Sequence, residues 1–203
     1  MKKLLLLVWL FTITSGFTQN DEAYVDQLTN EFTSKLKERG IPSFFATKHY
    51  CSGTIEMFII DGKMCTTRDT YYEVYIFWEE TDGTPFVKKI DNCGLFQSIE
   101  LPNNEVLYLA FENLYTIENE EVKPYKSETY TGQPELRKEV QPCFRSFTFK
   151  SLEDVVTKSF NLFDISNDSD GKNLNYDYNN ALSLVIVNNF TEETLQSLTF
   201  TRQ

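Results

Sequence analysis

A single histidine, His49, has to supply the imidazole for any serine–histidine or cysteine–histidine mechanism in this chain of 203 residues. Cys51 follows two residues later, and on one strand their side chains share a face about 7 Å apart, too far for a nucleophile–base hydrogen bond. The sequence contains no Gly-x-Ser-x-Gly elbow and no glycine-rich phosphate loop. We therefore interpret His49 as a structural or surface residue.

Carboxylates are abundant, and a glycosidase needs only two of them at the right separation. Glu73 and Glu79 fall on one face of the aromatic segment 70–80, where neighbouring rings could raise a carboxyl pKa by desolvation. Alternatively, they pair with Lys88 and Lys89 on a neighbouring strand. A carboxylate-based, glycosidase-like hydrolase is therefore an alternative function and not the leading hypothesis.

The polar segment 166–177 has an oxygen-ligand pattern typical of calcium loops. Its Asp-Ser-Asp-Gly run, residues 168–171, resembles part of an EF-hand-type calcium loop, with Asp168, Asp170 and Asp177 as candidate ligands. Ser166 stands where the first Asp of such a loop is expected, and Asp177 is shorter than the usual bidentate Glu. We therefore expect a solvated turn rather than a calcium site, and predict no cofactor.

The amino-terminal residues have the pattern of a secretory signal peptide of bacterial type. Lys2 and Lys3 precede an apolar run, residues 4–13, that is too short to span a bilayer. Gly16 and Thr18 are the small residues that favour cleavage between residues 18 and 19. We predict a signal over residues 1–18, one secreted domain over 19–203 without membrane insertion, and a periplasmic or extracellular location; an uncleaved amino-terminal anchor is the alternative.

The four cysteines, Cys51, Cys65, Cys93 and Cys143, form an even set, which in an exported chain favours two disulfides. Of the three possible pairings we prefer Cys51–Cys65, which closes a short loop over one β segment, and Cys93–Cys143. Free buried cysteines and a Cys/His metal site starting at His49 are the alternatives. No Cys-x-x-Cys knuckle supports the metal site.

Composition and charge exclude several classes of protein. Hydrophobic residues at 41% and charged residues at 24% are ordinary for a globular protein and exclude wholesale disorder. The formal net charge of −11 opposes binding to nucleic acid and to anionic membranes.

The elements that must position these residues follow from the hydrophobic periodicity. Helical spacing predicts helices over residues 21–39 and 104–119 and, after a capping-box pattern at Ser151, over 152–163. Residues 181–198 are either a strand followed by a helix or one helix. Short β segments are predicted over residues 44–50, 54–60, 86–90, 95–101 and 143–150. Residues 118–141 read as a long surface loop.

Residues 70–80 give the clearest β signal and end at the Asp82-Gly83 hairpin turn. The strand is apolar on both faces, which favours a central position covered from both sides. Alternatively, its tyrosine-bearing face is exposed and binds a partner, with Tyr71, Glu73, Tyr75 and Trp78 as the candidate binding residues.

Together these patterns predict an α+β fold, an antiparallel sheet centred on residues 70–80 and packed by three or four helices. Our leading hypothesis for function is a non-catalytic exported module that binds a protein or saccharide partner. A purely structural accessory domain is a further alternative to the hydrolase.

Overall fold

The computed structural model describes residues 21–128, 142–152, 154–167 and 172–203, so the predicted signal over residues 1–18 lies outside the described residues. The helices are α1 (Glu22–Glu38), α2 (Glu105–Glu112), α3 (Leu114–Asn119), α4 (Tyr176–Asn180) and α5 (Ser183–Gln196), with a 3-10 turn at Leu162–Ile165. The strands are β1 (Phe44–Cys51), β2 (Met57–Ile60), β3 (Lys63–Thr66), β4 (Tyr72–Glu79), β5 (Pro85–Asp91), β6 (Gly94–Leu95), β7 (Ile99–Glu100), β8 (Cys143–Ser151) and β9 (Asp154–Asn161). The chain is thus mixed α and β, in agreement with the predicted class.

The strands form one seven-stranded antiparallel sheet and a separate hairpin. The large sheet has the order β6–β5–β4–β1–β8–β9, and the short strand β7 also pairs with β5. Strand β4 lies inside the sheet between β5 and β1, and its residues from Val74 to Trp78 are all buried. Both faces of β4 are therefore covered. Within the described residues, strands β2 and β3 pair with each other and with no other strand.

Helix α1 covers one face of the sheet. Asp21 caps it by accepting a hydrogen bond from the Tyr24 amide at 3.0 Å, and Gly40, at φ +83°, ends it in a backbone conformation that favours glycine. The helix packs its apolar stripe on the sheet through the buried side chains of Val25 and Leu36. The core on this face also contains Ala46, Val74, Ile76, Trp78 and Ile90.

Helices α2, α3 and α5 cover the opposite face. Their buried residues pack with Phe45, Phe77, Phe147 and Phe149, whose side chains are all fully buried on strands β1, β4 and β8. The Phe45 and Phe77 rings are stacked with centroids 4.6 Å apart. The sheet is therefore a single layer of strands between two apolar cores, and its strands carry the candidate site residues.

The prediction of a helix over residues 152–163 is wrong, because most of this segment is strand β9, paired with β8. Val156 and Phe160 are four residues apart, a spacing that fits one face of a helix and one face of a strand equally well. The β-branched Val155 and Val156 favour the strand. Leu152, at φ +51°, takes part in the tight connection that returns the chain from β8 to β9.

Two other predictions were too coarse, and one pair of alternatives is decided in favour of a single helix. Residues 104–119 contain two helices, α2 and α3, rather than one. Residues 181–198 contain one helix, α5, with no strand before it. Residues 95–101 contain the last residue of β6 and the whole of the two-residue strand β7 rather than one strand.

The four cysteines form two disulfides, as expected, but the preferred pairing of Cys51 with Cys65 and of Cys93 with Cys143 was wrong. Cys51 is bonded to Cys143, and Cys65 is bonded to Cys93. Cys51 and Cys143 are register partners on the adjacent strands β1 and β8 although 92 residues separate them, so their proximity depends on the sheet order. Two disulfides fit an exported protein. None of the helices in the described ranges is long and apolar enough to cross a membrane.

Candidate functional site

Three of the four predicted binding residues meet at one end of strand β4, and the fourth does not. Tyr71, Glu73 and Tyr75 lie on the face covered by α5, where Tyr75 is only 8% exposed. Trp78 lies on the opposite face under α1, 2% exposed, with its ring edge-on to Phe32 at 5.2 Å. Because Tyr75 and Trp78 are buried on opposite faces, they do not belong to one contact surface.

A cleft of about 330 Å³ lies between the sheet and the carboxyl-terminal half of α5, and it is lined in part by Tyr71, Glu73 and Tyr75. The sheet register places a polar row across four strands: Asp91 opposite Glu73, Glu73 opposite His49, and His49 opposite Arg145. The cleft is lined by His49, Tyr50, Cys51, Thr54, Tyr71, Glu73, Tyr75, Arg145, Glu192, Leu195 and Gln196.

The charges around this cleft, hereafter the polar cleft, are balanced pair by pair. Lys89 donates to Glu73, and Arg145 Nε donates to Glu192 Oε1 at 2.7 Å. Beneath them, Arg202 binds both carboxylate oxygens of Asp91, which is fully buried. Three carboxylates therefore face three cations.

The two tyrosines act as hydrogen-bond donors. Tyr71 donates its hydroxyl to Asp91 Oδ2 at 2.9 Å. Burial, followed by the charges of Glu73 and Asp91, raises the pKa of Tyr71 far above its usual value. Burial and Glu73 raise the pKa of Tyr75 in the same way. Both phenols stay protonated at neutral pH, so neither supplies a base or a nucleophile.

A row of three side chains resembles a nucleophile–histidine–carboxylate triad: Thr47, His49 and Glu192, in that order. It cannot work as one. The Thr47 hydroxyl is 3.0 Å from His49 Nε2, and His49 Nδ1 is 3.7 Å from Glu192 Oε1. Thr47, however, is 0% exposed, so no substrate carbonyl can reach its oxygen. Glu192 is held by Arg145 and is beyond hydrogen-bond distance from the imidazole. Burial and the nearby cations of Arg145 and Lys89 hold the pKa of His49 well below its usual value, so the ring is neutral.

The carboxylates predicted for a hydrolase do not form a catalytic pair. Glu73 and Glu79 lie six residues apart on one extended strand, about 20 Å by the strand rise, whereas glycosidase carboxyl groups are about 5 to 9.5 Å apart. Glu73 and Glu192 share the polar cleft, but each already accepts a hydrogen bond from a cation. This arrangement suits hydrogen bonding to a ligand better than general acid–base chemistry.

Sequence reasoning missed an exposed apolar surface on the β2–β3 hairpin. Ile55, Met57, Ile59 and Met64, hereafter the hairpin face, are 57%, 68%, 83% and 75% exposed. Ile59 and Met64 are register partners, and Met57 lies two residues before Ile59 on the same side of β2. Ile55 precedes β2 in the chain. The apolar run over residues 57–60 was visible in the sequence, but such a run normally marks a strand that packs into a core.

The opposite side of the hairpin is anchored to the rest of the protein. Phe58 contacts the Tyr71 ring, with centroids 5.4 Å apart, and the Arg202 guanidinium lies 5.0 Å from the centre of the Phe58 ring. The Cys65–Cys93 disulfide ties β3 to the segment after β5. The hairpin therefore borders the polar cleft through Tyr71.

The calcium candidate is only partly visible. Asp168 and Asp170 lie outside the described residues, while Asp177 lies in helix α4. Within the described part of the chain, no group of three or more His, Cys, Asp or Glu side chains is arranged to hold a metal ion.

Comparisons with protein-family models, curated proteins and solved structures find no match to this chain. The hairpin face and the polar cleft are the two surfaces that bear on its function.

Proposed function

We propose that this protein is a non-catalytic binding module that contacts a partner protein through the hairpin face. One observation carries the proposal: Met57, Ile59 and Met64, each more than half exposed, lie on one side of a two-stranded hairpin, and the equally exposed Ile55 directly precedes it. Soluble proteins rarely expose contiguous apolar patches of this kind unless they serve an interaction. Met57 and Met64 suit such a surface because the flexible methionine thioether adapts to the shape of a partner.

The hairpin is held in place before any partner binds. Its inner side is fixed by the Phe58–Tyr71 contact and by the Cys65–Cys93 disulfide. The Thr67 hydroxyl also accepts a hydrogen bond from the Glu56 amide at 2.9 Å. An anchored hairpin loses little conformational entropy on binding, which favours affinity.

The charges around the hairpin face indicate the chemistry of the partner. The exposed acidic residues Glu56, Asp61 and Asp69 outnumber the exposed basic residues Lys63 and Arg68, and the whole chain carries a formal charge of −11. An exposed apolar hairpin with acidic surroundings fits an apolar surface with a basic rim on another protein.

Site-specific photocrosslinking in cells that produce the protein tests the proposal. Benzoylphenylalanine replaces Ile59 in one variant and Ile186, a 46% exposed residue on helix α5, in a control. We expect one discrete adduct between the chain and another protein from position 59 and none from position 186. Adding M57S and M64S to the first variant should abolish the adduct, because the apolar contact area is lost.

Three outcomes would contradict the proposal. An adduct of twice the mass of the chain would mean that a second copy covers the hairpin face. Absence of an adduct from position 59, or an equal yield from position 186, would remove the support for a protein partner. The saccharide alternative would then be favoured, since the polar cleft offers both the donors and the acceptors that sugar hydroxyls require.

A further inference from the structure

A second concave surface lies at the far end of strand β4 from the hairpin. It is a groove of about 420 Å³ between the α1–β1 connection, the end of β4 and helix α2, hereafter the acidic groove. We propose that the acidic groove binds an arginine side chain of a basic segment on a partner protein. The proposal is independent of the hairpin face, because β4 separates the two surfaces by its full length.

The floor of the acidic groove is apolar. Ile41 and Leu107 are 4% and 5% exposed, and Phe111 beside them is partly buried. Tyr108 is 61% exposed, so much of its surface is open to solvent at the groove. Positions 107, 108 and 111 come to one region by the spacing of helix α2. Such a surface suits the aliphatic stem of a long side chain whose charged end stays in water.

The rim carries two negative charges, Glu79 and Glu112, that have no cationic partner among the described residues. Glu79 accepts a hydrogen bond from the neutral amide of Asn104 at 3.3 Å, and Glu112 is hydrogen-bonded to the Tyr108 hydroxyl. Neither carboxylate forms an ion pair with any residue in the described ranges. The remaining groove carboxylate, Glu80, is paired with Arg39 of this chain. The groove therefore selects a cation rather than a neutral or acidic ligand.

Arginine meets these conditions better than other cations. Its planar guanidinium can stack on an exposed tyrosine ring and donate paired hydrogen bonds to a carboxylate, which the point charge of lysine cannot do. The Arg39–Glu80 pair shows that this rim already accommodates one guanidinium. A bare metal ion is disfavoured because the described residues contain no group of three metal-binding side chains.

Nuclear magnetic resonance titration of the full-length ¹⁵N-labelled protein tests the proposal. The probes are capped Gly-Arg-Gly, the same peptide with lysine, and the same peptide with citrulline, the neutral isostere of arginine. We expect the arginine peptide to shift the amide signals of Tyr108, Phe111 and Glu112, with a dissociation constant on the order of a millimolar or weaker, as suits one exposed contact. Citrulline should give no saturable shift.

Variants of the rim make the test specific. The double substitution E79Q/E112Q should lower the affinity for the arginine peptide about tenfold, because both free charges are lost. The control E105Q removes an exposed carboxylate from the same helix outside the groove and should leave the affinity unchanged. Equal binding of citrulline, equal affinity in the double variant, tighter binding of lysine, or the absence of shifts would each overturn the proposal.

Discussion

At the residue scale, His49 should make the stability of the protein depend on pH. The imidazole is 7% exposed, and its pKa is held well below 6.5 by burial and by the charges of Arg145 and Lys89. Below about pH 6.5 the unfolded chain binds a proton that the folded chain does not, so acidification favours unfolding. We expect the free energy of unfolding to fall from pH 7 towards pH 5, at up to about 1.4 kcal/mol per pH unit from this group.

The variant H49N isolates this contribution, since asparagine has no titrating group. Urea unfolding at several pH values should give a shallower pH dependence for H49N than for the native sequence. The two slopes are compared rather than the absolute stabilities, because the substitution also disturbs packing against Thr47 and Tyr75. Parallel curves would show that His49 is protonated in the folded protein or contributes nothing.

At the element scale, the Cys65–Cys93 disulfide should hold the hairpin face in place. Two strands alone are marginally stable in water, and no third strand pairs with β2 or β3 in the described part of the chain. In C65A/C93A we expect faster hydrogen exchange of the amides of β2 and β3, while β1, β4 and β8 keep their protection. The chain-entropy model adds a loss of about 3.5 kcal/mol in unfolding free energy for this loop of 28 residues.

The matched control is C51A/C143A, which opens a loop of 92 residues and should cost about 4.5 kcal/mol in the same model. Because β1 and β8 remain paired along eight register positions, this variant should leave exchange in the hairpin unchanged. Full protection of β2 and β3 in C65A/C93A would mean that side-chain contacts alone anchor the hairpin.

Elements governed by local patterns could be predicted from the sequence, and elements governed by distant contacts could not. Helix α1 and strand β4 agree with prediction because their periodicity extends over many residues. Strand β9 was assigned to a helix because its apolar spacing of four fits both periods, and only pairing with β8 decides between them. The polar cleft combines residues from β1, β4, β8 and α5, so no local pattern reveals it.

At the scale of the whole molecule, the disulfides and the sheet depend on contacts between distant parts of the chain. The β1–β8 pairing joins segments about a hundred residues apart, and the predicted disulfide pairing failed for that reason. Residues 201–203 also contact a distant part of the chain, since they lie beside residues 95–97 near the β6 edge of the sheet. Gln97 donates its amide to Thr201, and Gln203 donates its amide to Leu95. Arg202 thereby reaches Asp91, 111 residues earlier in the chain.

Removal of Arg202 should therefore destabilise the whole fold. In R202M the fully buried Asp91 loses its cation, and the donors that remain to it among the described residues are the Tyr71 hydroxyl and the Cys93 amide. Breaking a buried ion pair from one side costs about 3–5 kcal/mol, and we expect the lower end because the Arg202 side chain is 20% exposed.

The control R39M removes one partner of the exposed pair with Glu80 and should cost less than about 1 kcal/mol. Urea unfolding measures both variants, and D91N added to R202M should recover part of the loss because it removes the buried unpaired charge. If R202M were no less stable than R39M, Asp91 would not need its partner, and the chain end would be a peripheral attachment rather than part of the folded core.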